Sequence, residues 1–349
     1  MGKEEMLKSL RKQLNAVSGA EAPSRIKFFF DTGSVVLNWA ISGKFETGGY
    51  PSGRVVELFG YPSTGKSLLL NTAIACCQRA EGLAILDETE SSYMASFGEV
   101  TGINNEDLVL NNSRTVEELH SALRGTLEMS QKWKNEVPIL YALDSVADIS
   151  TDFEMKEQFK KVDMQRAKQL RKVLRISSPD IANSNLLLLL ANHKMEKQGV
   201  MFGDTTTTPG GSAVHFQASV RVELNSSTKL LDAKGDVRGQ VINIYIAKNK
   251  VSLPFRKCKI EVLFDSGVQR YSGVYELGAV YGIIKSAGGW CTLSNAPEAG
   301  KFRKNDFYED MTKVVAVMAE IERITAEVGK SAPMYEEIEE KTVQEEGDE

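Results

Sequence analysis

Short apolar runs alternate along the chain with longer stretches in which apolar residues recur every three or four positions. Val55–Phe59, Leu83–Leu86, Val137–Leu143 and Leu186–Ala191 have the length and β-branched or leucine-rich character of buried strands. Between them, Ser67–Ala80, Val116–Trp133 and Met155–Ile176 show helical periodicity. Strands joined by helices of this length predict an α/β fold with a mostly parallel central sheet covered on both faces. Beyond Asn192 the texture changes. Thr205–Ser212 has no apolar period and predicts a loop, while Val220–Leu224, Val241–Ile246 and Cys258–Phe264 predict further strands. Residues 285–334 predict a small C-terminal α+β domain, with Asp310–Val328 as its best helix. At the other end, Met6, Leu7, Leu10 and Leu14 recur at helical spacing before breaks at Gly19 and Pro23. The expected organisation is a helical arm over 1–23, a core over 24–284, the small domain over 285–334 and a tail over 335–349. No internal repeat is evident.

Composition adds little to that picture, but charge adds more. The 349 residues are 42% hydrophobic and 26% charged, as in soluble globular proteins. No apolar run approaches the roughly 20 residues that span a bilayer, and Met1-Gly-Lys-Glu-Glu-Met lacks the order of a secretory signal. A cytoplasmic protein is expected. Cys76, Cys77, Cys258 and Cys291 show neither zinc-ligand nor disulfide spacing. The net charge of −5 is unevenly spread: residues 335–349 hold eight acids and one lysine (−7), leaving −5 − (−7) = +2 for the rest. Such a tail is either a solubilising extension or an electrostatic competitor for a basic groove in the same molecule.

Candidate chemistry begins at Gly60-Tyr61-Pro62-Ser63-Thr64-Gly65-Lys66-Ser67, which follows a predicted strand and opens a predicted helix. In that setting the glycines let backbone N–H groups face phosphate oxygens, and the helix N-terminus adds its positive end. Lys66 is expected to reach the outer phosphates of ATP and the Ser67 hydroxyl to hold Mg²⁺. Asp144, closing the apolar strand Ile139–Leu143, is placed to orient the same Mg²⁺ or, alternatively, to cap a helix. Asp87, Glu88 and Glu90 follow the second strand, and hydrolysis needs one carboxylate to polarise the attacking water. Residue chemistry alone does not choose between Glu88 and Glu90. Lys156, Lys160, Lys161, Arg166, Lys168, Arg171, Lys172 and Arg175 fall on one predicted helix, with 161, 168, 172 and 175 forming a stripe. That stripe is either a solvated face or a sequence-independent phosphate track.

Taken together, these segments resemble the RecA family of DNA-strand-exchange recombinases over about residues 30–290. Gly53-Arg-Val-Val-Glu57 leads into the phosphate loop as it does in the family. Gly199–Gly203, Gly210-Gly211 and Ala218-Ser-Val-Arg221 resemble its mobile DNA-binding loop and the strand after it. Lys248-Asn-Lys250 with Pro254-Phe255 resembles the segment that reaches the neighbouring subunit's nucleotide. Arg166-Ala-Lys168, Arg175-Ile176, Asn192-His193, Phe264–Gly267 and Tyr271–Gly273 look more like the phage recombinase UvsX, so a phage origin is expected.

The resemblance implies roles for particular residues. Counting back from Gly102 puts the water-activating glutamate on Glu90, and Phe97 takes the place of the tyrosine that stacks on adenine, keeping the ring without the hydroxyl. His193 replaces the glutamine that senses the γ-phosphate, which makes its charge pH-dependent. Lys248 and Lys250 would act in trans on the next subunit's phosphate. DNA contacts are implied for the basic helix and its preceding loop, and for Lys194–Gly211, where Met201 and Phe202 would wedge between bases.

The implied function is an ATP-dependent recombinase. It would polymerise as a helical filament on single-stranded DNA, pair that strand with homologous duplex, and hydrolyse ATP at subunit interfaces. A single-strand-binding protein and a loader are further partners implied by the family. The alternative is a hexameric helicase or packaging motor with a related ATPase core, or a regulatory ATPase indifferent to DNA.

Overall fold

The computed structural model describes residues 3–13, 26–156, 163–196, 206–210 and 212–328. Among them, nine strands form one sheet: β1 (Arg54–Gly60), β2 (Leu83–Glu88), β3 (Leu108–Asn111), β4 (Ile139–Asp144), β5 (Leu186–His193), β6 (Val220–Leu231), β7 (Val237–Asn249), β8 (Lys257–Leu263) and β9 (Gly267–Val268). Their order is β9-β8-β7-β6-β1-β5-β4-β2-β3. Strands β1 to β6 run parallel. Strands β7, β8 and β9 extend one side as antiparallel neighbours.

The sheet is buried on both faces because its central strands alternate apolar residues to each side. Leu187, Leu189 and Ala191 of β5 enter one core with Val56 and Leu58 of β1. Leu186, Leu188 and Leu190 enter a second core with Val55 and with Ile139, Tyr141 and Leu143 of β4. Helices α2 (Val35–Ser42) and α3 (Lys66–Arg79) cover the first core. Helices α5 (Val116–Lys132) and α7 (Asp163–Asn183) cover the second. A capping box at Thr115 and Glu118 starts α5, satisfying two N–H groups that the first helical turn leaves open. The remaining helices are α1 (Lys3–Gln13), α4 (Ala95–Thr101), α6 (Asp152–Lys156), α8 (Ser212–Gln217), α9 (Val274–Val280) and α10 (Met311–Val328). Near the C-terminus, the hairpin β10 (Ile284–Ala287) and β11 (Trp290–Leu293) packs with α9 and α10. Phe302, Phe307, Val314, Val317 and Ile321 from this region join the first core.

The main strands and helices lie where the hydrophobic pattern puts them, within a few residues at most ends. Part of the expected Met155–Ile176 helix, residues 157–162, lies outside the described residues; on either side of it are α6, reaching Lys156, and α7, which runs from Asp163 past Ile176 to Asn183. Helix α7 also continues through Pro179, which usually breaks a helix, because burial of Ile181 in the second core holds the last turn.

Candidate nucleotide-binding and catalytic site

The C-terminal ends of the parallel strands share one edge of the sheet. Gly60 lies in register with His193, Phe59 with Asn192, and Glu88 with Asp144. The 61–65 loop crosses from β1 to the N-terminus of α3. Gly65 has φ +93°, and a Cβ there would lie 2.5 Å from Ile242 Cδ1. A Cβ on Gly60 would lie 2.3 Å from the Leu224 carbonyl. Both positions therefore require glycine. Tyr61, Pro62 and Ser63 are exposed, and Thr64 is buried with its hydroxyl donating 2.8 Å to Tyr61 O.

Lys66 is buried at 6% exposure, and its ammonium donates to Gly60 O at 3.2 Å and Tyr61 O at 2.9 Å. Burial lowers its pKa, while Asp144 and Glu90 pull the other way. The Asp144 carboxyl is raised mainly by burial and held down by its hydrogen bond with Ser67. A glycine cradle at a helix N-terminus, a buried ammonium and a hydroxyl–carboxylate pair make a donor set that fits a polyphosphate and a hydrated divalent cation.

The three acids after β2 have different surroundings. Asp87 is fully buried and accepts from Ser113 N (2.7 Å), Ser113 Oγ (2.7 Å) and Tyr141 OH (2.6 Å), so its place is structural. Glu88 is 8% exposed and accepts from Ser92 N at 2.9 Å and Ser92 Oγ at 3.0 Å. Glu90 lies past the end of the strand, with its carboxylate 3.5 Å from His193 Nε2. Asp148, which the sequence did not single out, has a carboxylate oxygen within 4.8 Å of both. Phe97 projects from α4 with 42% exposure.

A chain of polar contacts leaves this edge. Asn192 Nδ2 donates to Glu57 Oε1 at 2.8 Å and to Pro209 O at 3.1 Å. Glu57, with no exposed surface, is ion-paired to Arg221. Arg221 stacks on Phe59 and donates to His215 Nδ1 at 2.8 Å. A guanidinium has no acceptor to offer, so this contact puts any ring proton of a neutral His215 on Nε2. Lys248 donates to His215 O at 2.6 Å and Phe216 O at 3.2 Å. Its pKa is lowered to about 8 by burial, then by Lys250 and Arg221. Lys250 is exposed. Neither Glu57 nor Arg221 carried a chemical signal in the sequence beyond the resemblance, because a charged position within a strand reads as a solvated one until strand pairing brings the two opposite each other.

The basic residues divide. Lys168, Lys172 and Arg175 are exposed on α7, and Arg166 donates to Ala147 O at 2.9 Å. Lys194 is turned toward the phosphate loop: its N–H donates to Gly60 O at 3.0 Å, its ammonium pairs with Glu223, and it lies 5.5 Å from the Tyr61 ring centre. Gly210 has φ +79°, and a Cβ there would meet Leu170 at 2.8 Å. Lys161, Met201, Phe202 and Gly211 lie outside the described residues.

A family model described as the RecA N-terminal domain matches residues 6–269. Protein RecA of Porphyromonas gingivalis is 31% identical over 295 residues, covering 81% of this chain and 83% of the relative. Protein RecA of Bacteroides thetaiotaomicron is 32% identical over 267 residues, covering 76% and 77%. Protein RecA of Francisella tularensis subsp. novicida is 29% identical over 339 residues, covering 94% and 90%. The chain therefore belongs to the RecA family and is a RecA-type recombinase, a DNA-dependent ATPase that couples hydrolysis to strand exchange.

Proposed function

We propose that this chain performs RecA-type strand exchange with the residues gathered at the C-terminal sheet edge. The 60–67 loop holds the phosphates of ATP through backbone N–H groups, Lys66 grips the outer phosphates, and Ser67 with Asp144 holds Mg²⁺. When bound, ATP supplies the transferable phosphoryl group and Mg²⁺ neutralises its oxygens. Glu90 orients and polarises the attacking water at its carboxylate. His193 donates from its ring to the outer phosphate, and Asn192 carries its displacement to Glu57, Arg221 and the 194–211 loop. Phe97 stacks on the base. Lys248 and Lys250 stabilise transferring charge on the next subunit.

The observation that carries this reading is the meeting of Lys66, Ser67, Asp144, Glu90 and His193 on one edge. DNA is held by Lys161, Arg166, Lys168, Lys172, Arg175 and the Lys194–Gly211 loop, with Met201, Phe202, Gly210 and Gly211 contributing. The filament works in the cytoplasm, with a single-strand-binding protein and a loader as further partners. No described helix is long and apolar enough to cross a membrane.

The test is ATP hydrolysis with and without single-stranded DNA, with the complexes imaged in parallel. DNA-stimulated hydrolysis and ATP-dependent helical filaments, both lost in Lys66→Ala, are expected. Closed rings, or hydrolysis indifferent to DNA, would overturn the reading in favour of a ring motor or a regulatory ATPase.

A further inference from the structure

We propose that Glu90, Asp148 and His193 form an inhibitory binding site for a transition-metal dication of the Zn²⁺ type, distinct from the Mg²⁺ pair Ser67 and Asp144. The three ligands come from three different strand ends: Glu90 follows β2, Asp148 follows β4, and His193 ends β5. One ligand atom from each lies within 4.8 Å of the others. Zinc–nitrogen and zinc–oxygen bonds of about 2.0–2.2 Å place two ligands of a tetrahedral ion roughly 3.4 Å apart. Glu90 Oε1 and His193 Nε2 are already 3.5 Å apart, and an Asp148 carboxylate oxygen lies within 4.8 Å of both.

Three further features support a metal. Ser145 Oγ donates to Asp148 Oδ2 at 2.8 Å, which is how outer hydrogen bonds orient a ligating carboxylate. Glu90 and Asp148 are exposed and His193 is partly so, leaving an entry path and an open coordination position. Asp144 adds negative charge near Glu90, against the ammonium of Lys66. An imidazole among two carboxylates favours Zn²⁺ over Mg²⁺, which prefers oxygen ligands alone. All four cysteines are buried, so thiols are poor competitors.

The functional consequence rests on the proposed role of Glu90. A carboxylate that shares its lone pair with Zn²⁺ is a much weaker base toward water, so the metal would slow hydrolysis at the water-activating step.

The experiment titrates ZnCl₂ into the nucleotide-free, DNA-free full chain with millimolar Mg²⁺ present, followed by calorimetry, with Co²⁺ absorption as a spectroscopic reporter. One Zn²⁺ per chain is expected. Asp148→Asn and His193→Gln should each weaken binding about tenfold or more, with Ser67→Ala unchanged. Zinc should inhibit DNA-stimulated hydrolysis in the parent chain. Relative to its own zinc-free rate, Asp148→Asn should be inhibited far less. Equal zinc affinity in the parent and Asp148→Asn, or loss of binding in Ser67→Ala, would overturn the site. Zinc binding that depends on Asp148 but leaves hydrolysis untouched upholds the site and counts instead against Glu90 as the water-activating group. Glu90→Gln, assayed without zinc, tests that role separately.

Discussion

Glu88 and Glu90 offer the same carboxylate, one at the end of β2 and the other just past it, and their surroundings separate them. Glu88 already accepts two hydrogen bonds from Ser92, which fixes it and ties the strand end to the approach of α4. Glu90 faces His193 beside the phosphate loop. Glu90→Gln should therefore lower kcat by roughly 10²–10⁴, the usual worth of a general base, while fluorescent ATP analogues still bind. Glu88→Gln should cost much less in kcat. A larger loss in Glu88→Gln than in Glu90→Gln would reverse the assignment.

Lys248 carries a second residue-scale expectation. Its pKa is lowered to about 8, first by burial and then by Lys250 and Arg221, so the ammonium loses its proton as pH rises through about 8. A cation acting on the neighbour's phosphate is needed in its charged form. DNA-stimulated hydrolysis should therefore fall on the alkaline side of about pH 8. Lys248→Arg keeps its charge there and should flatten that limb if it retains activity. An unchanged alkaline limb in Lys248→Arg would assign the titration to another group.

At the scale of elements, legibility followed locality. The phosphate loop could be read because its eight residues are consecutive, and the central strands because leucine and valine runs flanked by helical periodicity have few other solutions. Strand β3 escaped because Leu108–Asn111 is short and Val109 and Leu110 are exposed. Helix α2 escaped because seven of its eight residues are buried, so it has no polar face to give a helical period. The Glu90–Asp148–His193 grouping and the Asn192–Glu57–Arg221 chain could not be read, since each joins residues that only strand pairing brings together. Lys194 looked like a loop cation, and tertiary placement turned it to Glu223 and Tyr61.

The buried Glu57–Arg221 pair yields the element-scale prediction. It joins β1 to β6, and removing one partner leaves an uncompensated buried charge. Arg221→Ala should cost about 3–5 kcal/mol of stability, read as a shift in the urea midpoint. Replacing both members, Glu57→Gln with Arg221→Met, should recover part of that. The recovery stays incomplete because the new side-chain amide brings N–H donors that the site does not accept, although its carbonyl still receives Asn192. Equal stability of the parent and Arg221→Ala would mean that Glu57 finds another partner or takes up a proton.

For the whole molecule, the governing quantity is how charge is divided. The chain has a net charge of −5, yet removal of residues 335–349 leaves +2. The exposed cations of α7 and the backbone donors of the phosphate loop therefore belong to a body of opposite sign to its tail. DNA binding through phosphates releases counterions, so its free energy depends on salt. A tail that occupies or screens the same basic surface must be displaced first, and that cost is itself electrostatic. A chain ending at Met334 should bind labelled single-stranded DNA more tightly than the full chain at low salt, by fluorescence anisotropy. The two affinities should converge as salt shortens the screening length to about 8–10 Å at 0.1–0.15 M. The order of these effects matters: a tail that competes for DNA changes affinity most where electrostatics are strongest. A tail that only solubilises leaves the affinity unchanged at every salt concentration and changes only the concentration at which the protein precipitates.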